Sequence, residues 1–288
     1  MRDLYNYKGE KEMIFIYKNW DKFCKELKNK QIISIPAKEV EKQGKSFLVL
    51  KHDIENTVSK AYKLAEIEHS YGHRGTYYIH AYLLEDLNNV KLLKKMQKMG
   101  HEISYHHDVM DSNGGNLDNA IIEFNKNKVL FEKLGFQITT VCQHGNPIIE
   151  RKGYTSNRDF FRNNKVQKLY SNISDIMVNY KEKYNIDYDY YSDAGRKFKL
   201  IYDPINNDRI KSDDKNISYE TLDAIIENLM YTSRVIISTH PHRWSESAVK
   251  YILKDKLFKI IKGCAKLLMH IPICKKIMSK YYYLAKKI

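Results

Sequence analysis

Six of the eleven histidines fall in four short clusters, three of which also hold carboxylates or amides. They occur in His52-Asp53-Ile54-Glu55, in His106-His107-Asp108, in His144-Gly145-Asn146 and in His240-Pro241-His242, and Asp193 stands alone between the last two clusters. Neutral imidazoles and carboxylates are the ligands that zinc and similar divalent ions take in proteins. The same groups take and return protons in hydrolysis. A single histidine is more readily a surface or capping residue, and His69, His73, His80, His101 and His270 are read that way. A cluster that recurs at four equivalent places favours a shared site.

The places are equivalent because each cluster ends a short apolar run. Ser46 to Leu50 leads into the first cluster and reads as a buried parallel strand. Val58, Ala61, Tyr62, Leu64, Ala65 and Ile67 then fall at helical spacing, and Gly72 and Gly75 end that helix. The sequence predicts strands over 76–83, 102–107, 138–143, 188–193, 198–202 and 234–239. It predicts helices over 86–98, 119–134 and 219–230, with Gly100 and Gly135 closing the first two. Trp20 to Lys28 reads as a short helix, Ile32 to Ile35 as a short strand, and 148–187 as an irregular excursion. Strands alternating with helices imply βα units and a parallel sheet. The expected fold class is α/β, a distorted (β/α)7-8 TIM-like barrel with a C-terminal basic helical extension. Residues 1–45 form a lead-in, 46–248 the barrel and 249–288 the tail. In such a barrel the strand exits converge on one face, where active sites are built. An open doubly wound sheet is the alternative. Neither G-x-G-x-x-G nor a Walker loop is present to support nucleotide chemistry.

Read in order, the exits resemble the polysaccharide deacetylase (NodB homology) superfamily. Leu50-Lys51-His52-Asp53-Ile54-Glu55 resembles its first motif in an H-D-x-D/E form, and Gly75-Thr76-Tyr77-Tyr78 its second-strand pattern. Gly100-His101-Glu102-Ile103-Ser104-Tyr105-His106 resembles its metal-histidine motif, and Gln143-His144-Gly145-Asn146-Pro147 an H-G-x-P loop. Tyr191-Ser192-Asp193 resembles a late acidic motif, and Ile237-Ser238-Thr239-His240-Pro241 the last-strand histidine motif. The resemblance implies metal-dependent removal of an acyl group, usually N-acetyl, from a sugar. It makes His106 a metal ligand, Asp53 a ligand or base, and His240 the acid that protonates the leaving amine. Where the family has a second histidine four residues on, Met110 stands. His107, His144 or Glu55 can fill that place, and His144 is preferred. Asp53 and Glu55 share a strand face, with His52 on the other, so they form the expected working pair. The expected metal set is Asp53, His106 and His144, with zinc as the ion. Asn146, Asp193, Arg196 and Trp244 are expected to meet the sugar. Trp244 and Tyr191 are read either as stacking platforms or as core.

The net charge of +14 is uneven: residues 249–288 hold eleven lysines and one acid. Val249, Ile252, Leu253, Leu257, Ile260 and Ile261 fall on one face of a basic amphipathic helix. It is read either as a barrel cover with a solvated lysine face or as a peripheral contact with an anionic membrane surface. Pro272 and Tyr281-Tyr282-Tyr283 follow it. No nucleic-acid recognition motif accompanies the charge, so nucleic acid is not expected. No run of 18 apolar residues occurs, and the charged first residues fit no signal peptide. Cys24, Cys142, Cys264 and Cys274 lack a C-x-x-C pair and read as reduced thiols. The expected setting is the cytoplasm, or the inner face of its membrane, with a carbohydrate, nucleotide- or lipid-linked, as partner in surface-polysaccharide assembly. The alternative is a non-catalytic carbohydrate-binding barrel that has lost part of its metal site.

Overall fold

The computed structural model describes residues 15–43, 46–146, 149–194, 198–201, 203–206, 208, 217–219 and 221–269. Nine strands are β1 (Phe47–Ile54), β2 (Thr76–Ile79), β3 (Glu102–His107), β4 (Thr140–Gln143), β5 (Ser174–Asp175), β6 (Asp189–Ser192), β7 (Lys199–Ile201), β8 (Ile217–Tyr219) and β9 (Arg234–Thr239). The helices that cover them include α1 (Tyr17–Asn29), α2 (Val40–Gln43), α3 (Val58–Ser70), α4 (Leu87–Lys98), α5 (Val109–Ser112) and α6 (Leu117–Lys133). They continue as α7 (Arg158–Arg162), α8 (Asn164–Leu169), α9 (Tyr180–Tyr184), α10 (Leu222–Leu229) and α11 (Ala248–Met269).

β1 is buried along its whole length, as a parallel strand with layers on both faces must be. Its two parallel neighbours are β2 and β9, the second strand and the last. First beside last is the neighbour relation of a (β/α) barrel. The sheet runs β5-β4-β3-β2-β1-β9-β6 in parallel, and β7 and β8 add an antiparallel hairpin to β6. Between β5 and β6 no ladder forms among the described residues. That opening is bridged by the Tyr188 hydroxyl, which donates to the Ile176 carbonyl at 2.9 Å. The fold is a distorted barrel of seven parallel strands, as the βα alternation predicts.

Strand alternation sorts the side chains. Val49, Tyr78, Cys142, Tyr190 and Ile236 point inward and form the core of the barrel. Leu48, Leu50, Ile237 and Val235 point outward against α1 and α10, and Ile103, Tyr105 and Val141 against α4 and α6. Gly75 sits where a Cβ would lie 2.8 Å from the Leu50 carbonyl and 2.9 Å from Glu68 Oε2. It is required by close approach and not as a helix cap; Gly72, at φ +84°, is the left-handed residue beyond α3.

Several elements differ from the sequence reading. β2 ends at Ile79 and not at 83, because a 3-10 turn over Ala81–Glu85 takes over. Residues 32–35 form no strand; the Ile35 amide still donates to Leu48 O beside β1. The 148–187 excursion contains α7, α8, β5 and α9. α11 runs unbroken through 248–269, and residues 270–288, with Pro272 and the three tyrosines, lie outside the described residues.

One polar hub ties the outer layer together. Glu68 of α3 is fully buried and accepts from Trp20 Nε1 at 3.0 Å and from the Tyr77 hydroxyl at 2.8 Å. His52 Nε2 lies 2.8 Å away, and its ring stacks on Tyr77 at 4.2 Å. Burial alone would raise the Glu68 carboxyl; the imidazole of His52 outweighs it and holds the group lowered. Tyr77→Phe keeps the packing and removes one bond to a charged acceptor. It is expected to cost about 1.5–3 kcal/mol, read as a lower urea midpoint at unchanged slope. A loss below about 0.5 kcal/mol, within the noise of such mutational bookkeeping, would mean that Glu68 does not depend on this donor.

Candidate functional site

The inward-facing positions at the C-terminal ends of the strands hold the ionisable cluster. β1 delivers Lys51 and Asp53, with Glu55 just past its end. β2 hands over to His80, β3 ends with His106 facing inward, β4 leads to His144, and β9 leads to His240. Asp193 follows β6 and is fully buried. The alternation that sends Asp53 inward sends His52 outward to Glu68, as two-residue periodicity requires.

Three imidazoles form a triangle. Ring centroids lie 4.8 Å apart for His80 and His106, 4.9 Å for His80 and His144, and 5.1 Å for His106 and His144. One ring nitrogen from each falls within 4.8 Å of the others, and all three residues are buried. His106 Nδ1 faces the Cys142 carbonyl at 2.9 Å. A carbonyl only accepts, so Nδ1 carries the proton and Nε2 keeps its lone pair. Burial pushes the His106 imidazole well below its usual range, so the ring is neutral. Those are the terms on which an imidazole ligates a cation.

Asp53, His106 and Cys142 form a second such group. Its chemistry fits a cation less well. Burial pushes the Cys142 thiol well above its usual range, and the thiolate is the ligating form. Both Asp53 oxygens are already engaged by Lys51 Nζ, at 2.7 and 2.6 Å. Lys51 is itself almost wholly buried and also donates to Ser238 Oγ at 3.2 Å. Burial would raise the Asp53 carboxyl; Lys51 outweighs it and holds the group at about 2.

Glu55 sits between the histidines. Its Oε2 lies 3.1 Å from His144 Nε2 and 3.7 Å from His80 Nε2, and its Oε1 lies 4.0 Å from His240 Nε2. Burial opposes its ionisation, but His144 and His80 hold it well below the usual carboxylate range. His240 is oriented by Asp193, which faces its Nδ1 at 2.5 Å and accepts from its backbone amide at 2.9 Å. Arg243 Nη1 reaches the same carboxylate at 2.6 Å. Burial would raise Asp193, and Arg243 and His240 hold it far below the usual range. His240 Nε2 therefore faces inward, 3.9 Å from Asp53 Oδ2.

The loop after β4 is pinned from below. Asp111 accepts from Arg151 Nε and Nη2 and from Asn157 Nδ2, each at 2.8 Å. Asn157 also donates to the His144 carbonyl, and Arg151 to the Asn146 carbonyl. Asp111 thus fixes the main chain on which His144 and Asn146 stand, with Asn146 buried beside the site.

Of the residues that the sequence singles out, Asp53, Glu55, His106, His144, His240 and Asp193 lie together. His107, one of the replacements considered for the second histidine, points outward and pairs with Asp175 at 2.9 Å among Phe124, Phe160 and Phe161. Trp244 is not available to a sugar. It is fully buried against Trp20 and Phe15, and its indole N–H donates to Thr239 Oγ1 at 2.6 Å. Tyr191 is likewise in the outer core. Arg196 lies outside the described residues. Two members were missed. From sequence His80 reads as a surface or capping histidine, and it falls inside the run 76–83 that reads as one strand. Lys51 was read only as part of a motif string, although its inward parity with Asp53 was visible.

No family model matches this chain, and no curated protein matches it. Among solved structures it is similar to peptidoglycan deacetylase PdaC from Bacillus subtilis, at 14% identity and a TM-score of 0.38, covering 79% of this chain and 97% of that one. A substituted form of the same enzyme gives 10% identity and a TM-score of 0.34, covering 76% and 98%.

Proposed function

We propose that this chain is a divalent-metal-dependent hydrolase that removes an N-acetyl or O-acyl group from a sugar, in surface-polysaccharide assembly. What carries the reading is the convergence of His80, His106 and His144 from three successive strands onto the carboxylates Asp53 and Glu55. The motif order that resembles the polysaccharide deacetylases supports the same chemistry. His80, His106 and His144 would hold the cation, and three imidazoles with an open position are a known catalytic zinc set. His80 then supplies the imidazole that Met110 does not, and Asp53 is left for proton transfer. A bound cation of this kind polarises a carbonyl and acidifies water.

The chain's own groups account for the protons. Asp53 and Glu55 are the two carboxylates at hand, and either takes a proton from the attacking water. His240 Nε2 stands about equally far from both, at 3.9 Å and 4.0 Å. A proton taken by either carboxylate thus has a short route to His240 and on to the leaving nitrogen or oxygen. Asp193 orients the ring, and Arg243 holds Asp193 in turn. Asn146 and Arg196 are the remaining candidates for sugar contacts. The substrate would be nucleotide- or lipid-linked, met in the cytoplasm or at the inner face of the membrane.

The test is metal content together with turnover. Purified protein supplied with zinc, nickel, cobalt or manganese should retain about one equivalent, as a single ligand set requires. The loaded protein should release acetate from N-acetylated oligosaccharides or lipid-linked amino sugars. Failure to retain any of the four metals would sink the hydrolase reading and leave a carbohydrate-binding barrel.

A further inference from the structure

The last described helix presents the wrong side to solvent for a simple barrel cover. On α11 the inward face is Tyr251, packed on Phe15 with ring centroids 6.0 Å apart, together with buried Asp255 and half-buried Ile252. The outward face carries Val249, Leu253, Leu257 and Ile260, which are 67%, 62%, 57% and 63% exposed. These four recur at helical spacing, so they form one continuous stripe. Exposed Lys250 and Lys254 border it on one side and exposed Lys256 on the other. Of the six residues that the sequence places on this face, the helix turns Ile252 toward the body and leaves Val249, Leu253, Leu257 and Ile260 exposed, while the side chain of Ile261 lies outside the described residues.

We infer that this stripe docks the protein on an anionic lipid surface. Scattered single apolar residues on a surface need no explanation, but an aligned row is an interaction site. The charge around it selects the occupant. Residues 249–288 hold eleven lysines against one acid, ten of the chain's fourteen net positive charges. A helix lying in the headgroup layer buries such a row among acyl chains while its bordering lysines meet lipid phosphates. A second copy of the chain fits poorly, because a two-fold contact would set these lysine borders against each other. Among the described residues no helix is long and apolar enough to cross a membrane, so the contact is peripheral. α11 begins eight residues after His240, so docking would tether the barrel from the segment that leaves its last strand. The inference stands apart from the proposed hydrolysis and survives if that fails.

The experiment is co-sedimentation of the full chain with phosphatidylcholine vesicles, with and without phosphatidylglycerol. Binding is expected only to the anionic vesicles and is expected to weaken with added salt. Leu253→Ser with Leu257→Ser, and separately Lys250→Glu with Lys254→Glu, should each weaken it about tenfold or more. All four positions are exposed, so circular dichroism and urea midpoints should match the parent. Lack of binding by the parent, or undiminished binding by the Leu253→Ser, Leu257→Ser form, would overturn the assignment. So would concentration-dependent self-association of the parent that the same pair of changes abolishes, which would give the stripe to a second copy.

Discussion

His80→Ala should lower the affinity for zinc at least about 100-fold while leaving the folded barrel in place. Changes in residues that merely orient a ligand cost 10–100-fold, and removal of one of three ligands should exceed that. The basis is geometric: His80 presents its ring to His106 and His144 at nearly equal distances from both. Isothermal titration of zinc into metal-free protein measures the effect. His69→Ala, on the exposed side of α3, is the control and should bind as the parent does. His106→Ala should match or exceed the His80 loss, since its Nε2 is the lone pair most firmly fixed. Zinc bound as tightly by His80→Ala as by the parent would return the site to Asp53, His106 and His144. It would also remove the reason to leave Asp53 for proton transfer.

The barrel and most of the site could be read from sequence because both rest on periodicity. Parallel strands buried on both faces must be continuous apolar runs. Polar residues at their ends therefore stand out, and alternation assigns Asp53 and Glu55 to one side and His52 to the other. What could not be read depends on where an element stops. Whether Thr76–Ile79 runs on through His80 is decided by the 3-10 turn after it, and no glycine or proline marks that turn. His80 therefore passed as one more residue of an aromatic strand. Trp244 shows the opposite error. An indole near a candidate site histidine can be read as a sugar platform, but Trp20 of α1 and Phe15 just before it pack against it and make it core. Lys51 carries no signal of its own inside the motif string, although Asp53 two residues on offers it a partner inside the barrel.

Lys51→Met is expected to destabilise the metal-free protein by about 3–5 kcal/mol at neutral pH, the usual cost of breaking a buried ion pair by removing one partner. Methionine fills much the same space, so the loss comes from the Asp53 carboxylate left in the barrel without its ammonium. The pH dependence distinguishes this from a packing defect. In the parent the Asp53 carboxyl is held at about 2, below its ordinary 3.8. Its contribution to stability is therefore complete above about pH 5 and is lost as the pH falls through 4 toward 2. In the variant, burial acts without Lys51 and raises the same carboxyl. The variant then gains stability relative to the parent as acid neutralises the stranded charge. The gap between the two should be widest near pH 7 and clearly narrower near pH 3, measured by urea unfolding at each pH. Asp53→Asn added to Lys51→Met should recover part of the loss at pH 7, because it removes the unpaired charge and keeps the shape. A gap that stays constant from pH 7 to pH 3, or no recovery in the double variant, would mean that Lys51 acts through packing.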